Sequence, residues 1–412
     1  MANFRLDQFQ VGAISTFDYR PGGPLEYVFG VDIRYFEGDQ FFNVDDLYGA
    51  DFTLDFSDRD YPVRAVRVEE QRIFQNKLSQ IGWVGVFGQV EYTQDRLKAF
   101  LSANFVQNRY RRQDRFIYTD ADSNVSPWTT YDNFSVKGGF KYSVTDEHAV
   151  FANAGYFTRA PFFGVVFGND NVADPIPNEQ VRSFEIGYEL SARNLRGSIN
   201  LYYTDYSNLS LNIERFTNPN DGLEYAALIN SIERRHAGIE GEVNWFPTPW
   251  FGLGSFFSFG DWIITGDAEG TLLNFQRQVV GQSTLYWNDQ YVGNSAQSTV
   301  GGEIGFRYAD RLSLKLSGIY YGKLYSEVGQ RFNPNDTERA LKLPSYYLVD
   351  LLVNYNFPIT DKLKGEFKLG VNNLLDRLTF TEGFDGQTHD WSDTGLFVTQ
   401  GRTISLTLAV SW

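Results

Sequence analysis

His389 and Asp390 stand side by side near the end of a 412-residue chain that has only two other histidines, His148 and His236. A hydrolytic centre needs an imidazole within hydrogen-bond reach of a nucleophile or water. Only His389 of the three could begin such a site with Asp390, yet neighbours on an extended strand point to opposite faces. The spacing argues against an enzyme. "TDADSNVSPWTTY" opens like a calcium loop, with Asp120, Asp122 and Asn124 in the first, third and fifth places. Its sixth place holds Val125 where a sharp turn wants Gly, and its twelfth holds Tyr131 where a bidentate Glu is needed. EF-hand chemistry fails there, while looser calcium binding in an acidic loop stays open. With no cysteine in the chain, disulfides and thiolate metal sites are excluded.

The remaining candidates are aromatics and acids gathered in irregular stretches. They are Tyr48, Asp51, Phe56 and Asp58, then Phe162, Phe163, Asp170 and Asp174, then Phe384, Trp391 and Asp393. Two readings fit them, a ligand vestibule or solvated loops above an aromatic girdle. Arg159 precedes Pro161 at a strand end, where it either meets an anionic group or pairs with a loop acid. A net charge of −15 disfavours nucleic acid as a partner.

The elements that must position these residues alternate with period two. Ile404, Leu406, Leu408, Val410 and Trp412 fall on one parity of the last stretch, and Thr403, Ser405, Thr407, Ala409 and Ser411 on the other. Leu363, Gly365, Phe367, Leu369 and Val371 oppose Lys364, Glu366 and Lys368 in the same way. Seven such pairs, joined by short turns such as "PGGP", "TQDR" and "TDEH", precede the final strand. This predicts about fifteen strands of roughly ten to fourteen residues, near the length of a tilted membrane strand. Connections at the other end are long, notably 37–76, 263–297 and 376–397. Short turns at one end and long loops at the other are the habit of outer-membrane barrels. Aromatic content of 17% with a slightly negative mean hydropathy fits such a barrel, because every second residue faces a polar lumen. The expected fold is all-β, an antiparallel transmembrane barrel.

"GYFTRAPFFG", "NEQVRSFEIGYE", "AGIEGEVNWFPTPWFGLGSFFSF", "LPSYYLVDLLVNYNF" and "LGVNNLLDRLTF" follow one another in order. Together they resemble the strand and loop motifs of TonB-dependent outer-membrane receptors. The aromatic last strand, from Ile404 to Trp412, resembles the sorting signal read by the barrel-assembly machinery. The resemblance implies a 22-stranded barrel around an N-terminal plug, with a substrate held by extracellular loops and the plug apex. Counted back from the end, residues 1–412 then correspond to roughly the C-terminal two-thirds of that barrel. The plug, its TonB contact, a signal peptide and about seven strands are not recognised in the chain. Energised import would need that plug, since the TonB complex acts through it. Arg159, Phe162, Phe163, Asp170, Trp391 and Asp393 are then the expected loop contacts to a small-molecule, glycan or peptide substrate. Outer-membrane lipid is the expected surround, and no cofactor is implied. A self-contained passive porin and a soluble all-β binding protein are the competing readings. The motifs leave the substrate open, because importers of different ligands differ in loops and plug.

Overall fold

The computed structural model describes all residues except 1, 68–70, 118–123, 168–175, 218–221, 275–278, 310 and 330; for 212–217 it describes the backbone alone. Fifteen long strands make the wall. They are β1 (Ala2–Tyr19), β2 (Leu25–Val44), β3 (Arg72–Gln94), β4 (Leu97–Asp114) and β5 (Thr129–Ser143). Next come β6 (His148–Arg159), β7 (Glu179–Ser191), β8 (Leu195–Thr217), β9 (Glu224–Thr248) and β10 (Phe251–Ile264). The last five are β11 (Ser298–Tyr308), β12 (Leu312–Gly322), β13 (Tyr346–Pro358), β14 (Lys364–Asn372) and β15 (Thr403–Ser411). Each pairs antiparallel with the next.

Two features differ from the sequence reading. The stretch 263–297 is not a bare loop, because 268–273 and 279–285 form a hairpin that joins the main sheet beside β9. Strand lengths also exceed the expected range, reaching 25 residues in β9. The excess lies at the long-loop end, where strands continue past the apolar band and carry loop cores. Three small ribbons, 53–55 with 64–66, 324–325 with 342–343, and 380–384 with 395–398, sit within the long connections.

Register shows why the alternation matters. Val31 lies opposite Val86, Val86 opposite Phe105, and Phe105 opposite Phe134. All four are exposed, so one face of the sheet is a continuous apolar surface. A soluble protein rarely shows such a surface, whereas a barrel in lipid requires it. At the other edge Val371, Leu369 and Phe367 lie opposite Ile404, Leu406 and Leu408, while Lys368 and Glu366 meet Thr407 and Ala409. The predicted faces are the observed ones, except that Leu363 sits in the preceding turn, where its carbonyl accepts from Ile359 N–H. Trp412 lies just past the strand and is 96% exposed.

The buried core lies where the long-loop ends of the wall strands meet the loops above them. Ile229, Ile264, Leu285, Trp287, Val328 and Ala340 pack together at the long-loop end. Tyr110, Tyr131, Ala160, Val166 and Phe167 make a second cluster, and Val44, Val66 and Ile73 a third. Among the described residues β1 pairs only with β2, and β15 only with β14. Among the described residues the sheet therefore has two open edges.

Candidate functional site

The wall strands β2, β3 and β4 rise into the long-loop end with matched inward rows. Phe36 lies opposite Ile81, Gly38 opposite Ser79 opposite Arg112, and Gln40 opposite Lys77 opposite Asp114. Above them the chain leaves β6 through Pro161 and makes one short helical turn, α1 (Phe163–Val166). Val166 and Phe167 pin that turn to Tyr110, Tyr131 and Ala160. Between the turn and the inward rows lies a cleft of about 330 Å³. Phe36, Gln40, Lys77, Ser79, Arg112 and Phe163 line it.

Its chemistry is cationic and aromatic. The Lys77 ammonium lies 3.8 Å from Asp114, and the Arg112 guanidinium lies over the Phe167 ring at 5.5 Å. Gln75 Nε2 donates to Gln40 Oε1 across the rim at 3.4 Å. Two positive groups, two amides, a hydroxyl and aromatic walls suit a small oxygen-rich anion, held by a few convergent polar groups.

The expected contact residues divide. Phe163 lines the cleft, its ring 4.8 Å from Phe167 and 5.8 Å from Tyr110. Arg159 donates Nε–H to Glu179 at 2.6 Å and stacks over exposed Phe162 at 4.9 Å. The Glu179 side chain is only 2% exposed, so Arg159 has the loop-acid partner of the second reading. Asp170 and Asp174 lie outside the described residues, as do Asp120 and Asp122 of the calcium-like stretch. Tyr131 of that stretch is a wall residue packed on Tyr110. Asp393 accepts from Gln387 N–H, Thr388 N–H and the Thr388 hydroxyl, which makes it the clasp of its own turn. Trp391 packs on Phe380. Among the described residues no hydrogen bond, ion pair or ring contact joins Trp391 or Asp393 to Arg159, Phe162 or Phe163.

The last three long loops form one body. Trp287 donates to Gly329 O, and the Gln290 side chain bridges Glu338 O and Ala340 N. Arg331 and His389 converge on Asp385 Oδ2 at 2.9 and 2.6 Å, and His389 also reaches Asp336 at 2.9 Å. The Asp385 side chain is fully buried. His389 is thus tied to carboxylates of its own loop and the preceding one, not to Asp390, whose carboxylate accepts from Ser392 and Thr388. In the first long loop Asp55 plays a comparable part. Burial pushes its carboxyl up, but hydrogen bonds from Ser57 and Arg64 outweigh this and hold it below the ordinary aspartate range. Tyr48 and Phe56 of that loop are exposed, and Asp58 lies 3.8 Å from Arg64.

The cleft residues Phe36, Gln40, Lys77, Ser79 and Arg112 were missed in the sequence, although each sits on the inward parity of its own strand. Alternation identifies the face of one strand, but not which height meets which across three.

A wall with an apolar outside, a polar inside, short turns at one end and packed loops at the other is the architecture of a membrane-spanning β-barrel. The model of the TonB dependent receptor-like β-barrel matches residues 2–374, and the chain belongs to that family. Members of this family are outer-membrane transporters, not enzymes. Among solved structures the chain resembles the copper transporter OprC at 14% identity and a TM-score of 0.67, over 99% of this chain and 57% of that one. It resembles the ferric yersiniabactin uptake receptor FyuA from Yersinia pestis at 13% identity and 0.61, over 100% and 55%. The ferric citrate transporter FecA in its unliganded form gives 14% and 0.62, over 99% and 54%. These likenesses concern the fold. The chain spans little more than half the length of the solved relatives it matches. No curated protein sequence matches it.

Proposed function

We propose that the chain forms the ligand-receiving wall and loops of an outer-membrane uptake receptor, with a small anionic ligand entering the cleft beneath α1. The observation that carries this reading is the inward cleft itself, where Lys77, Arg112, Gln40 and Ser79 converge beside Phe163. That the chain resembles transporters of copper and of ferric citrate favours an anionic metal chelate as cargo. The cargo is substrate here, not a resident cofactor; calcium in the acidic loops would be a separate and weaker association.

Active import in this proposal draws on a plug, its TonB contact and further barrel strands supplied by sequence outside these 412 residues. The two open sheet edges support it, as does the share of the relatives' length that is covered. Membrane insertion would pass through the barrel-assembly machinery, with the β15 face Ile404, Leu406, Leu408 and Val410, followed by Trp412, as the strand it reads. Arg159, Phe162, Asp170, Trp391 and Asp393 remain proposed loop contacts to the substrate, Phe163 being the inner wall of the cleft.

Titrating the protein in outer membranes with ferric citrate, read by quenching of tryptophan fluorescence, tests the ligand site. Lys77→Gln should weaken binding about tenfold if one charge-assisted contact is lost. Equal affinity in wild type and variant would remove the cleft from the proposal.

A further inference from the structure

The outward faces of the wall change chemistry at one level. On β2 the outward residues run Tyr27, Phe29, Val31, Ile33 and Tyr35, then Glu37 and Asp39. On β4 they run Leu101, Ala103 and Phe105, then Gln107, Arg109 and Arg111. Tyr35 and Arg109 flank Gly82 in register, and Glu37 and Arg111 flank Gln80. The apolar band therefore ends, toward the long loops, in a row of charge.

From β7 to the end of β12 that row neutralises itself. Arg182 faces Asp205 at 3.8 Å, and Arg235 and Lys323 share Asp261 at 3.5 and 2.8 Å. Between β2 and β5, Arg72 and Arg115 pair directly with Asp39 at 2.7 and 3.1 Å, but at Arg111 and Arg109 a glutamine stands between the arginine and the nearest acid. Arg111 Nε–H donates to Gln80 Oε1 at 2.6 Å, while Gln80 Nε2 donates to Glu37 at 2.8 Å. Arg109 Nε–H donates to Gln107 Oε1 at 3.0 Å, while Gln107 Nε2 donates to Asp132 at 3.0 Å. Among the described residues the terminal N–H groups of both arginines carry no hydrogen bond. The Arg111 guanidinium also lies over the ring of Trp128 at 4.8 Å, and that ring is exposed.

We propose that Arg109 and Arg111, beside Trp128, form an outward-facing site for the phosphate of a lipid headgroup in the leaflet that borders the long loops. The inference rests on the reading of this face as lipid-facing. Two neighbouring guanidinium forks match phosphate oxygens, which a single ammonium would meet only as a point charge. Tryptophan settles at the level of lipid headgroups, and cations there attract anionic lipid. The apolar row Val86, Phe105 and Phe134 continues directly below, so the occupant is a phosphate with acyl chains beneath it. A free anion would gain nothing from that row.

The test extracts the 412-residue protein from outer membranes in mild detergent and counts phosphorylated lipid per chain by mass spectrometry. Wild type is compared with Arg109→Gln/Arg111→Gln and with Arg20→Gln, an exposed arginine at the opposite end of the sheet. The double variant should retain about threefold less lipid and Arg20→Gln the full amount. Arg109→Lys/Arg111→Lys, which keeps both charges and loses both forks, should fall between them and shows that the fold tolerates change there. Equal lipid in wild type and the double glutamine variant overturns the proposal. Complete displacement of the lipid by inorganic phosphate also overturns it, since the site then takes a free anion. Membrane fractionation precedes the lipid count, and wild type found only in the soluble fraction sinks the membrane reading as well as the site.

Discussion

Arg331, Asp385 and His389 show how little of a buried constellation a sequence displays. His389 looks paired with the adjacent Asp390, yet its partners lie 4 and 53 residues back, at Asp385 and Asp336. Adjacent side chains diverge, and a loop that folds back on itself chooses partners by space. Arg159 was more legible, because a strand end beside a proline leaves an arginine few places to go except a nearby acid. Removing one member of a buried ion pair leaves the other uncompensated, at a cost of about 3–5 kcal/mol. Asp385→Asn should therefore loosen 323–345 and 373–402 together, seen as faster amide exchange in both stretches. Exchange confined to one stretch would contradict the view of a single loop body. The Asp55 clasp makes a pH prediction. Its carboxyl is held below the usual range, so its contribution is complete above the ordinary aspartate value of about 3.9 and is lost as pH falls through the depressed value. Protease nicking within 45–71 should stay slow at neutral pH and rise only in strong acid. In Asp55→Asn it should be fast throughout.

Strands were the most readable elements, because period-two alternation survives in every wall strand whatever its partners. The fifteen expected strands are the fifteen of the wall, and their inward charges and outward aliphatics fall as the parity demands. The hairpin at 268–285 was not readable, since its apolar residues pack into a loop core and not onto a two-sided sheet. Strand ends were equally hidden, as the alternation continues beyond the apolar band. Face assignment predicts opposite outcomes for two adjacent residues. Leu406→Arg places a charge on the lipid face and should cost about 2–4 kcal/mol, whereas Thr407→Arg on the inward face should cost far less. Urea titration of protein folded into lipid vesicles measures both, and equal costs would reverse the sheet. Close packing gives a second contrast on β7. A Cβ on Gly187 would run into the ring of Phe151, so Gly187→Val should cripple folding while Ala152→Val, outward and beside Ile186, should be mild.

At the scale of the whole molecule, the wall is a sheet whose margins, β1 and β15, each keep one row of backbone donors and acceptors without a ladder partner among the described residues. Every such group left in hydrocarbon costs several kcal/mol. Expressed alone, the chain should give no uniform single-channel conductance. A sharp conductance level would favour the self-contained porin reading instead. Family membership was legible from ordered motifs in the second half, and the family match extends it back to residue 2. The direction of the two margins sets one more condition. With an odd number of alternating strands, β1 and β15 run the same way, so joining them directly would make a parallel seam in an otherwise antiparallel wall. Any segment that closes the wall with antiparallel pairs throughout must itself contain an odd number of strands. A complement of six or eight could not close it that way at any length, whereas one of seven could.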